Sequence, residues 1–197
     1  MIFNFSRNYQ FSTRLELDGA NLEVVNHTRL LETIISNDLK WDLNTENIVK
    51  KCNKRMELLR RISNFGASWD DLKNIYFLYI RSLLEQSCIV WHSSLTEKNS
   101  TDLERIQKSA LKIILGEEYK DYKNALNILE IDNLMDRREI LCLKFAKKCL
   151  KSEKMKDLFN ENPKTHPMKT RFEEEFEMNH ANTERMKKSP IVYMQRL

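Results

Sequence analysis

Two aspartates side by side are the first residues in this sequence that could do chemistry. Asp70 and Asp71 form its only DD pair, and paired carboxylates can hold two divalent metals for phosphoryl transfer. Their setting points elsewhere. Ser68 stands before them at the interval of a capping box, which puts both acids in the first turn of a helix, where the dipole favours negative charge. No hydrophobic hairpin surrounds them. The histidines His27, His92, His166 and His180 stand at no metal-ligand spacing from one another or from a cysteine, and they read as surface or loop residues. Cys52, Cys88, Cys142 and Cys149 contain no CxxC pair. Cys142 and Cys149, seven apart, have core spacing, and no base is evident that would make either a nucleophile. Only three glycines occur, too few for a phosphate-cradling loop, and the patterns GxGxxG, HExxH and GxSxG are absent. The sequence therefore points to no cofactor, no metal, no small-molecule substrate and no catalytic centre of its own.

Clustered positive charge is the stronger signal. Lys50, Lys51, Lys54, Arg55, Arg60 and Arg61 face a single acid, Glu57, a local charge of +5. Lys144, Lys147, Lys148, Lys151, Lys154 and Lys156 against Glu153 give +5 again. Such clusters suit a phosphate backbone, because each neutralised phosphate releases counterions. A solvated helix face is the plainer explanation of the same residues. The net charge of +4 and pI near 8.8 allow an acidic partner without requiring one.

The elements that must position these residues are mostly helices. Gly19, Gly66 and Gly116 all fall where an element should end, and Pro163, Pro167 and Pro190 all fall late, leaving a long proline-free middle. Before it, alternating Leu15, Leu17, Leu22 and Val24 flank Asp18-Gly19, a hairpin signal, and Leu30 to Ile35 reads as a further strand. Three such strands look like the edge of a sheet whose remainder is missing. A first helix is expected from a cap at Asn44 to about Ser63. Ile48, Cys52, Met56 and Leu59 share its inner face, Lys50, Lys54 and Arg61 lie opposite, and Lys51, Arg55 and Arg60 flank them. Phe65-Gly66 closes it. A second, nearly apolar helix runs from Ser68 to about Trp91, a third from Thr101-Asp102 to Gly116, a fourth over Tyr122 to Leu129 and a fifth over Asn133 to Lys151. The expected fold is mainly α: a residual β segment over 1–41, a helical domain of about five helices over 42–155 and an irregular tail over 156–197, with Ile191-Val192-Tyr193 as a short strand.

The start of the chain does not read as a signal peptide and no stretch approaches 18 apolar residues, so no membrane association is expected. With unpaired cysteines, this reads as an intracellular chain, cytoplasmic or nuclear.

Four blocks resemble, in order, the reverse transcriptases of non-LTR (LINE-type) retrotransposons. LLETIISNDLKW, Leu30 to Trp41, is similar to that family's LG-x-x-I-x-x-x-L-x-W block. LYIRSLLEQSCIVW, Leu78 to Trp91, resembles the following helix with its terminal tryptophan. LERIQKSALKII, Leu103 to Ile114, resembles the next block, and Asp136-Arg137-Arg138-Glu139 with Leu141 to Phe145 the one after. Asn182, Arg185, Ser189-Pro190 and Tyr193 resemble the way such proteins finish. The resemblance implies late palm strands, including a hairpin like the primer grip, and then a thumb. It would hold an RNA or DNA duplex through the α-helical face of Lys50 to Arg61, and it would work with a palm and fingers portion that carries the catalytic aspartates. The family has glycine where Glu32 stands. Glycine there implies a positive φ or a close backbone approach, and glutamate places a negative charge near any bound backbone. Two other readings compete: a degenerate remnant without activity, and a helical interaction module using Tyr76, Tyr79 and Trp91.

Overall fold

A computed structural model describes residues 16–21, 23–155, 181 and 183–197. The readings placed on the start of the chain, Leu15, Leu22, Lys156, Pro163, His166, Pro167, His180 and Asn182 lie outside them. The protein is mainly helical, with antiparallel hairpins ahead of the helices. The first hairpin joins β1 (Glu16–Leu17) to β2 (Ala20–Asn21) through Asp18-Gly19, both at positive φ, as an Asp-Gly turn of the hairpin type requires.

The expected strand over Leu30 to Ile35 is corrected. β3 (His27–Leu30) and β4 (Thr33–Ser36) form a second hairpin, and the chain reverses at Leu31 and Glu32 with φ of 46° and 66°. Two consecutive left-handed residues are the geometry of a tight two-residue turn. Apolar composition suggested a strand because neither residue has the side chain such a turn favours. Beyond the turn Thr33 and Ser36 of β4 are buried, while Leu30 and Leu31 face solvent.

The first long helix, α1 (Asp42–Asn64), begins two residues before the expected cap. Asn44 does not cap it. It is buried one turn in, and its Oδ1 accepts the Ile34 backbone N–H at 3.0 Å, tying β4 to α1. At the other end Gly66 has φ of 80° and its N–H reaches the Ser63 carbonyl, the left-handed stop that the sequence suggested.

The apolar second helix is not one continuous helix. It runs as α2 (Trp69–Ile75), a π turn over Tyr76–Arg81 and α3 (Ser82–Glu85), then breaks at Ser87, φ 53°, before α4 (Cys88–Trp91) and a 3-10 turn over His92–Ser94. The break lets the Trp91 indole N–H donate to the Gln86 carbonyl at 3.0 Å while the ring stays fully buried. α5 (Glu97–Leu115) starts earlier than Thr101 because Thr96 caps it. α6 (Tyr122–Leu129) and α7 (Leu134–Leu150) start at Asp121 and Asn133 caps. Each such cap contributes about 1 kcal/mol.

Ile191-Val192-Tyr193 is helical rather than a strand. α8 (Glu184–Lys187) and α9 (Pro190–Met194) end the chain, with Pro190 in the first turn of α9, where its fixed φ suits a helix start. One core gathers α1, α2 to α6 and the start of α7 around Trp91, Tyr76, Met56, Leu59, Leu84 and Leu111. A smaller core joins Cys142, Ala146 and Cys149 of α7 to Met194 of α9. The Ser93 and Ser94 hydroxyls both donate to the Lys188 carbonyl at 2.7 Å and pin the approach to α9.

Candidate nucleic-acid interface

α1 buries Ile48, Cys52, Met56 and Leu59 against α5 and the π turn. The helical period then sends Lys50, Lys54 and Arg61 to the opposite side, and all three are exposed. The six basic residues of this helix have different surroundings. The Lys51 ammonium binds the Glu32 carboxylate at 2.5 Å, with Arg29 on the same carboxylate at 3.8 Å. The bond from Lys51, reinforced by the two positive charges, holds the Glu32 carboxyl below its usual range. Arg55 is half-buried and donates to the Tyr79 carbonyl in the π turn at 2.5 Å. Arg60 and Arg61 share Glu57 at 3.4 and 3.7 Å. Among the described residues Lys50 and Lys54 make no ion pair. Lys51 and Arg55 therefore fasten the second hairpin and the π turn to α1, and the solvent stripe is Lys50, Lys54 and Arg61 with Glu57 among them.

The second cluster is less compensated. Lys144, Lys147, Lys148 and Lys151 are exposed, and at helical spacing they fall within one arc of about 100°, opposite the buried Cys142, Ala146 and Cys149. Lys154 follows, also exposed. Among the described residues no carboxylate lies within ion-pair distance of these lysines. Two pairs stand at i,i+4 and two at i,i+3, and each like-charge pair destabilises a helix by roughly 0.2–0.5 kcal/mol. The helix dipole favours cations in the last turn, which accounts for Lys147 and Lys148 and leaves Lys144, a turn earlier, without that support.

The residues weighed for catalysis take structural places. Asp71 donates its backbone N–H to the Ser68 hydroxyl at 3.2 Å, and that hydroxyl donates to the Asp71 carboxylate at 2.7 Å. The DD pair thus starts α2, and Asp70 and Asp71 are exposed. No three His, Cys, Asp or Glu side chains of the described residues gather as a metal site. All four cysteines are free and buried. Burial pushes the thiols of Cys52 and Cys88 up to about 12 and that of Cys142 up to about 11, which keeps them protonated.

His92 overturns the expectation of a surface histidine. It is buried because the 3-10 turn carries it under α7 and α9, and its Nδ1 accepts from Arg138 Nε at 3.2 Å. The whole Asp136-Arg137-Arg138-Glu139 run is structural. Asp136 pairs with its cap Asn133, Arg137 binds Glu85 at 2.9 Å, Arg138 holds His92 and Glu139 accepts from the Tyr193 hydroxyl at 3.2 Å. The available sequence signal was Arg138 itself, which stands four before Cys142 on the apolar stripe of α7. Gln107 gave the same signal on α5. It is fully buried, its Oε1 accepts from Tyr76, and its Nε2 donates to Tyr122 and to the Asp132 carbonyl.

No helix of the described residues is long and apolar enough to cross a membrane. No protein family, curated protein or solved structure matches the chain.

Proposed function

We propose that this chain is a non-catalytic, thumb-like positioning piece of an RNA-directed DNA polymerase of the non-LTR retrotransposon type. In this reading it grips primer–template duplex through the exposed stripe of α1. The observation that carries it is the division of labour on that helix: Lys50, Lys54 and Arg61 face water, while Lys51 and Arg55 brace the helix against the hairpin and the π turn. A braced helix presents its charges at fixed spacing to a phosphate backbone. Catalysis falls to a palm and fingers portion. Both hairpins stand as two-stranded sheets with no third strand among the described residues, which supports docking to further sheet.

The test is binding of a labelled RNA–DNA duplex by the full chain as salt is varied. Replacing Lys50, Lys54 and Arg61 with glutamate weakens binding at least tenfold and flattens its salt dependence by about three phosphate contacts. Unchanged affinity in that triple variant overturns the assignment.

A further inference from the structure

The lysine arc of α7 is a surface of a different kind from the stripe of α1. On α1 Arg60 and Arg61 have Glu57 and Lys51 has Glu32, so that Lys50 and Lys54 are the lysines left without an ion pair among the described residues. On α7 four lysines repel one another with no carboxylate within ion-pair distance among the described residues. The neighbouring acid on the same helix, Glu139, is turned away and bonded to Tyr193. The helix dipole favours Lys147 and Lys148 in the last turn but not Lys144 a turn earlier, and the other face of α7 is already secured by Cys142, Ala146 and Cys149 packing under α9. An anionic partner would relieve the repulsion.

The chemistry of the arc narrows that partner. Lysines are point charges without the planar fork that selects single carboxylates or phosphates, so a repeating array of negative charge fits better than one group. From Lys144 to Lys151 the helix advances about 10 Å, a span that faces several phosphates of a duplex, which carries one charge per roughly 1.7 Å of axis. Among the described residues no fully exposed aromatic ring borders the arc. Phe145 is packed against the smaller core, so the face has no platform on which unpaired bases could stack. Among the described residues of α7 no Trp, Phe or Leu is exposed, and the exposed apolar side chains are Met135 and Ile140, less than the Trp, Phe and Leu face with which an interfacial helix enters a lipid surface.

We propose that Lys144, Lys147, Lys148 and Lys151 form a second duplex-backbone contact, and the stronger of the two. The inference rests on the reading that this chain binds nucleic acid.

The experiment uses the full chain and a labelled RNA–DNA duplex between about 50 and 200 mM salt, the range over which phosphate contacts dominate affinity. Three proteins are compared: the parent, the α1 triple glutamate variant, and one with Lys144→Gln, Lys147→Gln, Lys148→Gln and Lys151→Gln. The glutamine variant is expected to lose about three to four from the slope of log affinity against log salt, and more affinity than the α1 variant. Relief of repulsion and loss of the dipole's support for Lys147 and Lys148 oppose each other, so its melting midpoint at low salt should stay within about 4 °C of the parent's. If it loses binding while the α1 variant does not, the α7 contact stands and the α1 assignment falls. A glutamine variant within twofold of the parent overturns the α7 contact, whatever the α1 variant does. So does a melting midpoint lowered by much more than about 4 °C, which would give the lysines a role in the fold beyond the dipole. Failure of the parent to bind duplex overturns both assignments, and binding to phosphatidylserine vesicles without duplex binding reassigns the arc to membrane.

Discussion

Arg138 donates its Nε–H to Nδ1 of His92 at 3.2 Å, with both side chains buried. The bond fixes the tautomer: Nδ1 accepts, so the proton sits on Nε2, which faces the Tyr193 hydroxyl at 3.5 Å. That hydroxyl donates to Glu139. The relay joins the 3-10 turn, α9 and α7, so the end of the chain is fastened through a histidine that must remain neutral. The two terminal nitrogens of Arg138 have no hydrogen-bond partner among the described residues, and its guanidinium lies 5.8 Å from the Trp91 ring.

This predicts an acid-labile attachment of α9. Burial first, and then the Arg138 charge, bring the His92 pKa down to about 4, whereas an unfolded histidine titrates near 6.5. Between those values the unfolded chain binds a proton that the folded chain does not. Stability is therefore full above about pH 6.5 and falls as the pH drops toward 4. The loss from this one group is at most about 3 kcal/mol. Urea midpoints of the parent and of His92→Gln, compared at pH 7 and pH 4.5, isolate it. The parent should lose more than the variant, and equal losses would remove His92 as the cause. Arg138→Met should raise the His92 pKa, read by NMR titration, yet leave it below 6.5 because burial persists.

The bonds around Gln107 predict a second sensitive point. Its amide joins Tyr76 of the π turn, Tyr122 of α6 and the carbonyl of Asp132, and Tyr122 also reaches Glu104. Gln107→Leu keeps the volume and removes every partner at once, leaving the fully buried Tyr76 hydroxyl unpaired. A loss of roughly 2–4 kcal/mol is expected. Tyr76→Phe removes one donor and should lose about 1–2 kcal/mol. Urea unfolding of both variants checks the order, and a Gln107→Leu loss no greater than that of Tyr76→Phe would mean the amide does not organise the group.

The main helices were legible because periodicity and caps agree in them. Gly66 and Asn133 stop and start helices where their chemistry says they should. Tertiary preferences hid the rest. Leu31 and Glu32 form a left-handed turn that neither favours locally, and the pairing of β3 with β4 imposes it. Asn44 looks like a cap but serves a strand. The sequence places Lys50, Lys54 and Arg61 opposite the buried stripe of α1 and Lys51 and Arg60 at its flanks, while Arg55, seven residues after Ile48, falls at the edge of that stripe. It cannot show that Lys51 and Arg55 are committed to Glu32 and Tyr79, since those partners lie 19 and 24 residues away. Nor could spacing reveal that all four lysines of the α7 arc lack a carboxylate within ion-pair distance among the described residues, whereas on α1 Lys51, Arg60 and Arg61 have one.

Glu32 brings the turn and the charged face together in one test. It holds a φ of 66°, a conformation that glycine adopts freely and other residues adopt with strain. Its carboxylate also occupies Lys51. Glu32→Gly should therefore do two things. Relief of strain outweighs loss of an exposed ion pair, which contributes little in water, so the melting midpoint should rise by roughly 2–4 °C. Lys51 is released and one negative charge leaves the basic face, so duplex binding should tighten and its salt slope steepen by about one. Glu32→Gln separates the two effects: it keeps the strained backbone and removes the charge. It should reproduce the binding gain without the thermal gain. If Glu32→Gly and Glu32→Gln both leave duplex affinity unchanged, Lys51 serves only to hold the hairpin on α1. If Glu32→Gly melts lower than the parent, the ion pair matters more than the strain at this turn.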